Sequence, residues 1–364
     1  MNHKLLYQWE GEVSRRLPSL NSWQVKNVAL FSQGMIRAEQ CQQGAIARQV
    51  LCGEREGSAE RRLRRFLGNE KVQVSRFFVE WTRWVVSAYE GEQITLLVDE
   101  TKLKDRLAVM VVGLAWQGRC IPLAWRCYSA NSAVAYPVEG QVGVIVELLK
   151  MVQQGLSDSR DVLILADRGI GTSPALCRAI DGMGWYYLFR VTCQSKICTQ
   201  TGEYTIAQMV QPGQTWAAVG RIFKRRGQIP AYARALWSLP YDEPWALVTN
   251  APDCSGIEYA QRNWQEQSFR DLKSQGLHWQ ESLIRLPDHM QRLLMLLVLA
   301  YTWLLALGCH AVHAHRTQPL TRHPNGRLRR HWSLFKEGLA FFSEVVYRFA
   351  VCPQLCFSLD TRFS

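Results

Sequence analysis

Two short apolar runs, each ending in an aspartate, constrain the fold of this chain more than any other feature of its sequence. The first covers residues 94–99 and the second residues 161–167, and they close at Asp99 and Asp167. Each run has the length and the continuous apolar character of a buried strand. An ionised carboxylate that leaves water needs a cation or hydrogen bonds. The two runs therefore predict neighbouring buried strands whose acids meet in a polar site.

The segments around these runs predict a mixed sheet flanked by helices. Residues 107–116 and 120–128 are expected to form a hairpin. The other predicted elements of this region are a helix at 138–154, a turn at 168–171, a helix at 174–183 and a strand at 185–191. Three antiparallel strands followed by alternating helix and strand give the order of a ribonuclease H-like α/β fold.

The regions outside this core differ from it in composition. Residues before about 90 are expected to be helical, and stretch 58–67 places Arg61, Arg62, Arg64 and Arg65 around apolar side chains. One face of that stretch can pack while the other meets phosphates or, as for most charged faces, only solvent. We predict a helical N-terminal DNA-binding domain at 1–90, a first core segment at 91–191, a β-rich insertion at 192–250, a second core segment at 251–315 and a basic tail at 316–364.

A third carboxylate is expected on a helix at residues 259–273. That stretch lacks Gly and Pro and is rich in helix-forming residues, with Ser255 or Asp253 available to cap it and Gly276 to end it. At 3.6 residues per turn, one face carries Tyr259, Arg262, Glu266, Arg270 and Lys273. This face suits phosphates and a metal ion. The alternative is a solvated helix stabilised by i,i+4 ion pairs.

The three acids together predict phosphoryl-transfer chemistry. In the expected fold order, the strands of Asp99 and Asp167 lie side by side and the helix of Glu266 packs across their ends. Three carboxylates that meet can hold two Mg²⁺ ions, one activating water or a 3′-hydroxyl and the other stabilising the leaving oxygen. Alternatively, backbone amides could satisfy Asp99 and Asp167.

The motifs around these acids resemble those of a known family. Tyr259, Arg262, Glu266 and Lys273 reproduce the spacing Tyr-x2-Arg-x3-Glu-x6-Lys. The further motifs are Asp99-Glu-Thr101, Ala166-Asp-Arg-Gly169 and Phe269-Arg-Asp-Leu-Lys273. Over residues 90 to 310 the chain resembles the DDE transposases of bacterial insertion sequences, in the branch named for insertion sequence four.

The resemblance implies a catalytic triad of Asp99, Asp167 and Glu266 that binds two Mg²⁺ ions, for which Mn²⁺ can substitute. It implies that the phosphates of the transposon end are held by Tyr259, Arg262 and Lys273, and we expect Arg270 on the same helix face to contact DNA. It also implies a β insertion between the second and third acids, carrying a tryptophan that stacks on a flipped base. Trp245 is our match for that tryptophan, with strand core as the alternative. The expected partners are the double-stranded DNA of transposon ends and target, and a second copy of the chain in a synaptic homodimer.

Composition and the weaker signals agree with a DNA partner without specifying it. The net charge of +12 and the pI near 9.3 suit a polyanion, either nucleic acid or an acidic membrane surface. The apolar run 293–307 is shorter than the roughly 20 residues of a membrane span, so we expect a buried helix and no membrane partner. Nothing at the N-terminus reads as a signal peptide, so we expect a cytoplasmic, nucleoid-associated protein with reduced cysteines. Cys309, His310, His313 and His315 lie close together, but their spacing fits no standard zinc site.

The sequence therefore predicts a Mg²⁺-dependent DNA transposase. It would bind the terminal inverted repeats of its own element, cleave the ends and transfer the 3′-hydroxyls to target DNA. One alternative is a ribonuclease H-like nuclease or resolvase that cuts without strand transfer. The other is a catalytically inactive DNA-binding protein derived from a transposase.

Overall fold

The fold is described from a computed structural model, which covers residues 3–50, 55–132, 135–156, 160–224, 227–239, 241–314, 321–322, 328–329 and 332–348. Helices precede the first strand, as predicted: α1 (His3–Arg16), α2 (Ser22–Ala38), α3 (Gln43–Gln49), α4 (Glu56–Leu67) and α5 (Val74–Ser87). The next elements are β1 (Ile94–Leu103), β2 (Leu107–Trp116), β3 (Arg119–Ser129), α6 (Gly140–Gly155), β4 (Val162–Ala166), α7 (Arg168–Gly171), α8 (Pro174–Gly182) and β5 (Tyr186–Arg190).

The second half of the chain adds strands and then returns to helices. Its strands are β6 (Lys196–Cys198), β7 (Glu203–Thr205), β8 (Thr215–Ile222), β9 (Ile229–Leu236) and β10 (Trp245–Thr249). They are followed by a 3₁₀-helix (Ile257–Arg262), α9 (Asn263–Lys273), α10 (Pro287–His313), the short pair β11 (Thr321–Arg322) and β12 (Leu328–Arg329), and α11 (Leu334–Tyr347). Most of the tail predicted at 316–364, including Cys352 and Cys356, lies outside the described residues.

Ten strands form one mixed sheet in the order β3-β2-β1-β4-β5-β10-β9-β8-β6-β7. Strand β1 pairs antiparallel with β2 and parallel with β4, and β4 pairs parallel with β5. This first half has the predicted ribonuclease H-like order. The strands of the predicted insertion continue the same sheet, because β10 pairs antiparallel with β5. The boundaries at 192 and 250 stay predictions.

Two details of the core differ from the sequence-based expectation. Asp99 does not end its strand: β1 runs on to Leu103, because its antiparallel pairing with β2 continues to Leu107 after the parallel pairing with β4 has stopped at Val98. Residues 168–171, expected as a turn, form the one-turn helix α7.

The helix expected at 259–273 is formed with different ends. Its first turn is the 3₁₀-helix, which follows Gly256 in a left-handed conformation, φ 93°, and neither Ser255 nor Asp253 occupies the N-cap position of α9. The helix ends at Lys273 with Ser274 as its C-cap, so Gly276 does not end it. A Cβ on Gly276 would lie 2.4 Å from the ring of Phe335, so this glycine serves close packing.

The N-terminal helices and the sheet share one hydrophobic core. The Trp9 ring stacks on that of Trp303 in α10 with 4.3 Å between centroids, and the Trp81 indole N–H donates to the Pro122 carbonyl in β3 at 2.8 Å. Helix α10 has 27 residues and is long and apolar enough to cross a membrane. The expectation that this apolar segment is too short for a membrane span was therefore wrong. However, 94% of its most apolar window is buried inside the protein, as predicted for a core helix.

Candidate active site

Asp99 and Asp167 lie side by side where the parallel pairing of β1 with β4 stops. Val98 pairs with Ala166, and each aspartate is the next residue in its chain segment. The side chain of Asp99 is 15% exposed, and its Oδ1 accepts the Glu100 N–H at 2.9 Å. Burial raises the pKa of Asp99 to about 6, with Arg262 opposing the shift and Asp167 adding to it. The buried strand thus holds a carboxylate that needs cationic support at neutral pH.

Asp167 divides its two oxygens between the backbone and the site. Its Oδ1 accepts the N–H groups of Gly169 and Ile170 at 3.0 and 3.2 Å, which makes Asp167 the N-cap of α7. Its Oδ2 lies 3.6 Å from a guanidinium nitrogen of Arg262. The alternative that backbone amides satisfy this acid is therefore correct for one oxygen only.

The guanidinium of Arg262 lies between the three carboxylates. Its Nη2 is 3.0 Å from Asp99 Oδ2 as well as 3.6 Å from Asp167 Oδ2, and its Nη1 donates to Glu266 Oε1 one turn along the helix. The structure thus brings the three predicted acids together around one cation. The Nε of Arg262 is buried, and no described residue accepts a hydrogen bond from it.

The chemistry of this donor set fits a divalent ion, although its present arrangement does not enclose one. Carboxylate oxygens are the ligands that Mg²⁺ prefers, and Asp99, Asp167 and Glu266 would be those ligands. Among the described residues, no group of three or more His, Cys, Asp or Glu side chains is placed to hold a metal ion. The position that the three acids share is taken by Arg262, which would have to move.

Among the other residues predicted to bind DNA, Arg270 is exposed, whereas Lys273 and Tyr259 are packed against the protein. The Lys273 ammonium donates to the Lys102 carbonyl at 2.8 Å, and burial lowers its pKa, with Asp99 opposing that shift. Tyr259 is 5% exposed, and burial raises its pKa to about 12. Contact of these side chains with DNA stays a prediction.

Trp245 begins β10 and is half-buried beside the site. Its ring meets Tyr259 edge-on with 5.2 Å between centroids, and the ring of Tyr241 is tilted against it at 5.9 Å. The indole thus packs against a small apolar cluster that includes Leu97, Leu165 and Tyr259. The choice between base stacking and strand core stays open.

The sequence reasoning missed a set of polar residues behind the site. Asp271 accepts from Arg119, and Tyr301 donates to Ser268. Together with Gln265, the helical members of this set recur every three residues along α9, opposite the charged face. The three-residue spacing of these polar side chains could be read from the sequence, whereas their burial could not.

The contacts of the Cys309, His310, His313 and His315 group do not support a metal site. Cys309 is buried and the His310 ring lies against Phe341 with 5.2 Å between centroids, while His315 is outside the described residues. No disulfide joins any of the eight cysteines in the described part of the chain.

The basic face predicted on α4 is present. Arg61, Arg64 and Arg65 line a surface cleft of about 340 Å³ on this helix, whose other face is buried.

Comparison with known protein families supports a transposase. Residues 140–303 match a family model described as the transposase DDE domain. The matched segment contains Asp167 and Glu266 and begins after Asp99. This similarity supports a DDE transposase, and the ten-stranded mixed sheet flanked by helices fits the ribonuclease H-like fold of that class. No curated protein matches the chain.

Proposed function

We propose that this chain is a DNA transposase of the insertion-sequence-four type, with the signature Tyr259, Arg262, Glu266 and Lys273. It binds the terminal inverted repeats of its element as double-stranded DNA, cleaves the ends and transfers the 3′-hydroxyls to target DNA. It works as a homodimer in the synaptic complex, in the bacterial cytoplasm at the nucleoid. The observation that carries the proposal is the convergence of Asp99, Asp167 and Glu266, from two strands and one helix, on a single cationic group.

The three acids form the metal site of this proposal. Two Mg²⁺ or Mn²⁺ ions would supply a polarised nucleophile and stabilisation of the leaving oxygen. Asp99 contributes the most buried oxygens, Asp167 contributes the oxygen that its amide contacts leave free, and Glu266 approaches from the helix. Each acid is carried by its own strand or helix, and binding of the ions would require Arg262 to move out from between them.

Arg262 has two partners in this proposal. Without DNA it neutralises part of the charge of the three acids. Phosphates of a bound DNA end are competing acceptors, because guanidinium groups bind phosphate oxygens in paired hydrogen bonds. Movement of Arg262 to a phosphate then frees the carboxylates, so the transposon end and the metal ions favour each other's binding.

The aromatic pair beside the acids has a separate role. Trp245 and Tyr259 line the same side of the site, and Arg270 and Lys273 lie along the adjoining helix. We assign Trp245 to stacking on a base flipped out of the transposon end and Tyr259, Arg270 and Lys273 to its phosphates.

The test uses a plasmid that carries the coding region with its native flanking DNA. Purified wild-type protein and the single variants Asp99→Ala, Asp167→Ala and Glu266→Ala are incubated with this plasmid and Mg²⁺, and cut and joined products are resolved on gels. Asp253→Ala, which removes an exposed acid, is the matched control. We expect wild type and control to cut and join, and the three variants to bind DNA without cutting it.

Other outcomes contradict the proposal in distinguishable ways. Cleavage without joined products would favour the nuclease or resolvase. Binding without cleavage by the wild type would favour an inactive, transposase-derived DNA-binding protein. Cleavage by any of the three variants at the wild-type rate would remove that acid from the site.

A further inference from the structure

Helix α9 has two faces with different partners. The face of Glu266 looks into the active site. A second face carries Gln265, Ser268 and Asp271, which are 0%, 1% and 4% exposed and recur every three residues. Buried polar groups need hydrogen-bond partners. Where these three side chains are bonded therefore decides how α9 lies on the sheet.

The first two contacts join α9 to the strands beside Asp99. The Gln265 side-chain amide donates to the carbonyl of Val111 at 3.3 Å, and Val111 is the residue of β2 that pairs with Asp99. The Ser268 hydroxyl accepts the backbone N–H of Cys120 in β3 at 2.6 Å. Glu266 thus lies on a helix anchored to the strand that neighbours Asp99.

Ser268 is also bonded to helix α10. The Tyr301 hydroxyl donates to Ser268 Oγ at 3.0 Å, while Ser268 donates to the carbonyl of Trp264 at 3.0 Å. The oxygen of this one small side chain is therefore shared by a strand and two helices. Tyr301 is fully buried.

Asp271 completes the stripe with an ion pair. Its Oδ2 accepts from Arg119 Nε at 2.6 Å, and the two side chains are 6% and 15% exposed. Arg119 also donates to the Gly118 carbonyl at 2.9 Å. Gln117 and Gly118 both have positive φ, 48° and 78°, as a two-residue hairpin turn of type I′ requires. The pair thus ties the end of α9 to the rigid turn of the β2–β3 hairpin.

These contacts differ in kind from the apolar packing of the same helix. Phe269 and Leu272 are buried, but apolar contacts are non-directional and tolerate rotation. Hydrogen bonds are directional and weaken steeply when misaligned. Successive side chains of a helix point about 100° apart around its axis, so the rotation of α9 sets the direction in which Glu266 points. A change in that rotation would move Glu266 away from Asp99 and Asp167.

We propose that Ser268, Asp271, Arg119 and Tyr301 are positioning residues that fix the rotation of α9 and hold Glu266 against the two strand acids. This inference rests on the proposed function for its catalytic meaning. In this inference the network acts through the position of Glu266, and not by contacting DNA or the reacting atoms.

The test compares three variants of the full-length protein. Tyr301→Phe removes one hydroxyl with no change of ring size. The double variant Arg119→Met/Asp271→Leu replaces both partners of the ion pair by apolar side chains, a change that is often neutral for stability. Thr302→Val is the matched control, because Thr302 is the next residue of α10, is fully buried and has a hydroxyl that no described residue bonds.

Three readouts separate positioning from stability. Thermal melting reports folding. Single-turnover cleavage of saturating end DNA reports the chemical step. Mn²⁺ titration by electron paramagnetic resonance, made without DNA and in an Arg262→Ala background, reports the carboxylate site itself. The Mn²⁺ titration tests the positioning role even if the wild type cleaves no DNA, so failure of the proposed function and of this inference are distinguishable.

We expect Tyr301→Phe and the double variant to lower the cleavage rate and the Mn²⁺ affinity about 10- to 100-fold, as outer-shell partners of metal ligands do. Melting of the double variant should stay near that of the wild type. Thr302→Val should match the wild type in cleavage rate and Mn²⁺ affinity and should melt no lower, because it removes a buried hydroxyl that no described residue bonds. Wild-type rates and Mn²⁺ affinity in Tyr301→Phe and in the double variant would overturn the inference. A loss of activity that only follows the fraction of unfolded protein would overturn it too.

Discussion

Replacing Arg262 by alanine should strengthen metal binding by the DNA-free protein. The guanidinium is 16% exposed and lies 3.0 Å from Asp99 Oδ2 and 3.6 Å from Asp167 Oδ2, while also contacting Glu266. A divalent ion that binds the same oxygens must first displace it. Alanine removes that competition and leaves the three carboxylates in place.

The size of the effect follows from the contacts that are lost. The hydrogen bond between Arg262 and Asp99, two buried and charged groups, is worth about 1.5–3 kcal/mol. Asp167 and Glu266 are 36% and 44% exposed, so solvent screens their pairs to well under about 1 kcal/mol each. Displacement of the guanidinium therefore costs about 2–3 kcal/mol, and Arg262→Ala should tighten Mn²⁺ binding about 30- to 150-fold.

The assay is Mn²⁺ titration followed by electron paramagnetic resonance at constant ionic strength. Arg178→Ala, which removes an exposed cation on α8, has the same change in net charge and should bind Mn²⁺ as the wild type does. End DNA should tighten Mn²⁺ binding by the wild type and have little effect in Arg262→Ala. In this proposal DNA and metal are coupled through Arg262, and the variant lacks that side chain. Equal Mn²⁺ affinity of Arg262→Ala and the wild type would refute competition by Arg262.

Three further predictions address neighbouring groups. If Trp245 stacks on a flipped base, Trp245→Ala should lose about 1–3 kcal/mol in the step that needs this base, the closure of a pre-nicked transposon end into a DNA hairpin, and the variant should melt normally. A large fall in melting temperature would instead place the indole in the core. If Lys273 binds a phosphate, Lys273→Ala should lower the slope of log K for end-DNA binding against log salt concentration by about one. An unchanged slope would leave only its hydrogen bond to the Lys102 carbonyl. Burial raises the pKa of Asp271, so its contribution to the free energy of unfolding is present below the ordinary pKa and is lost as pH rises through the raised value. The melting difference between Asp271→Asn and the wild type should therefore shift in favour of the variant as pH rises from about 4 to about 7, and a pH-independent difference would contradict this reasoning.

Strands β2, β3 and β4 could be predicted from the sequence because nearly all of their residues are buried, which gives continuous apolar runs. Strand β2 has the predicted bounds Leu107–Trp116, and all ten of its residues are buried. The continuation of β1 past Asp99 was not readable, because it depends on which neighbour the strand pairs with at each position. Pairing with β4 stops at Val98, while pairing with β2 goes on. The strands on the two sides of β1 are set by the tertiary fold, so the end of β1 cannot be predicted from its own sequence.

The three acids that the structure brings together were named from the sequence, but most of their contacts were not. Ion pairs between residues four apart were only the alternative interpretation of this helix face, and the structure contains one, between Arg262 and Glu266. That the same guanidinium also reaches Asp99 depends on how α9 crosses the sheet, and a helical wheel cannot show that. For the same reason, the sequence placed Lys273 on the charged face without revealing the Lys102 carbonyl as its partner.

The electrostatics of the site argue that Arg262 is an incomplete partner for the acids. Three carboxylates face one guanidinium, so two negative charges remain in excess when all are ionised. Mutual repulsion adds to burial in raising the pKa of Asp99 to about 6. The Nε of Arg262 adds a buried donor that no described residue satisfies, and such a group costs about 1–3 kcal/mol. Relief of both costs requires more positive charge at the acids and an acceptor for the guanidinium elsewhere. A divalent ion and a DNA phosphate have these complementary properties, which is why we expect the two to bind cooperatively.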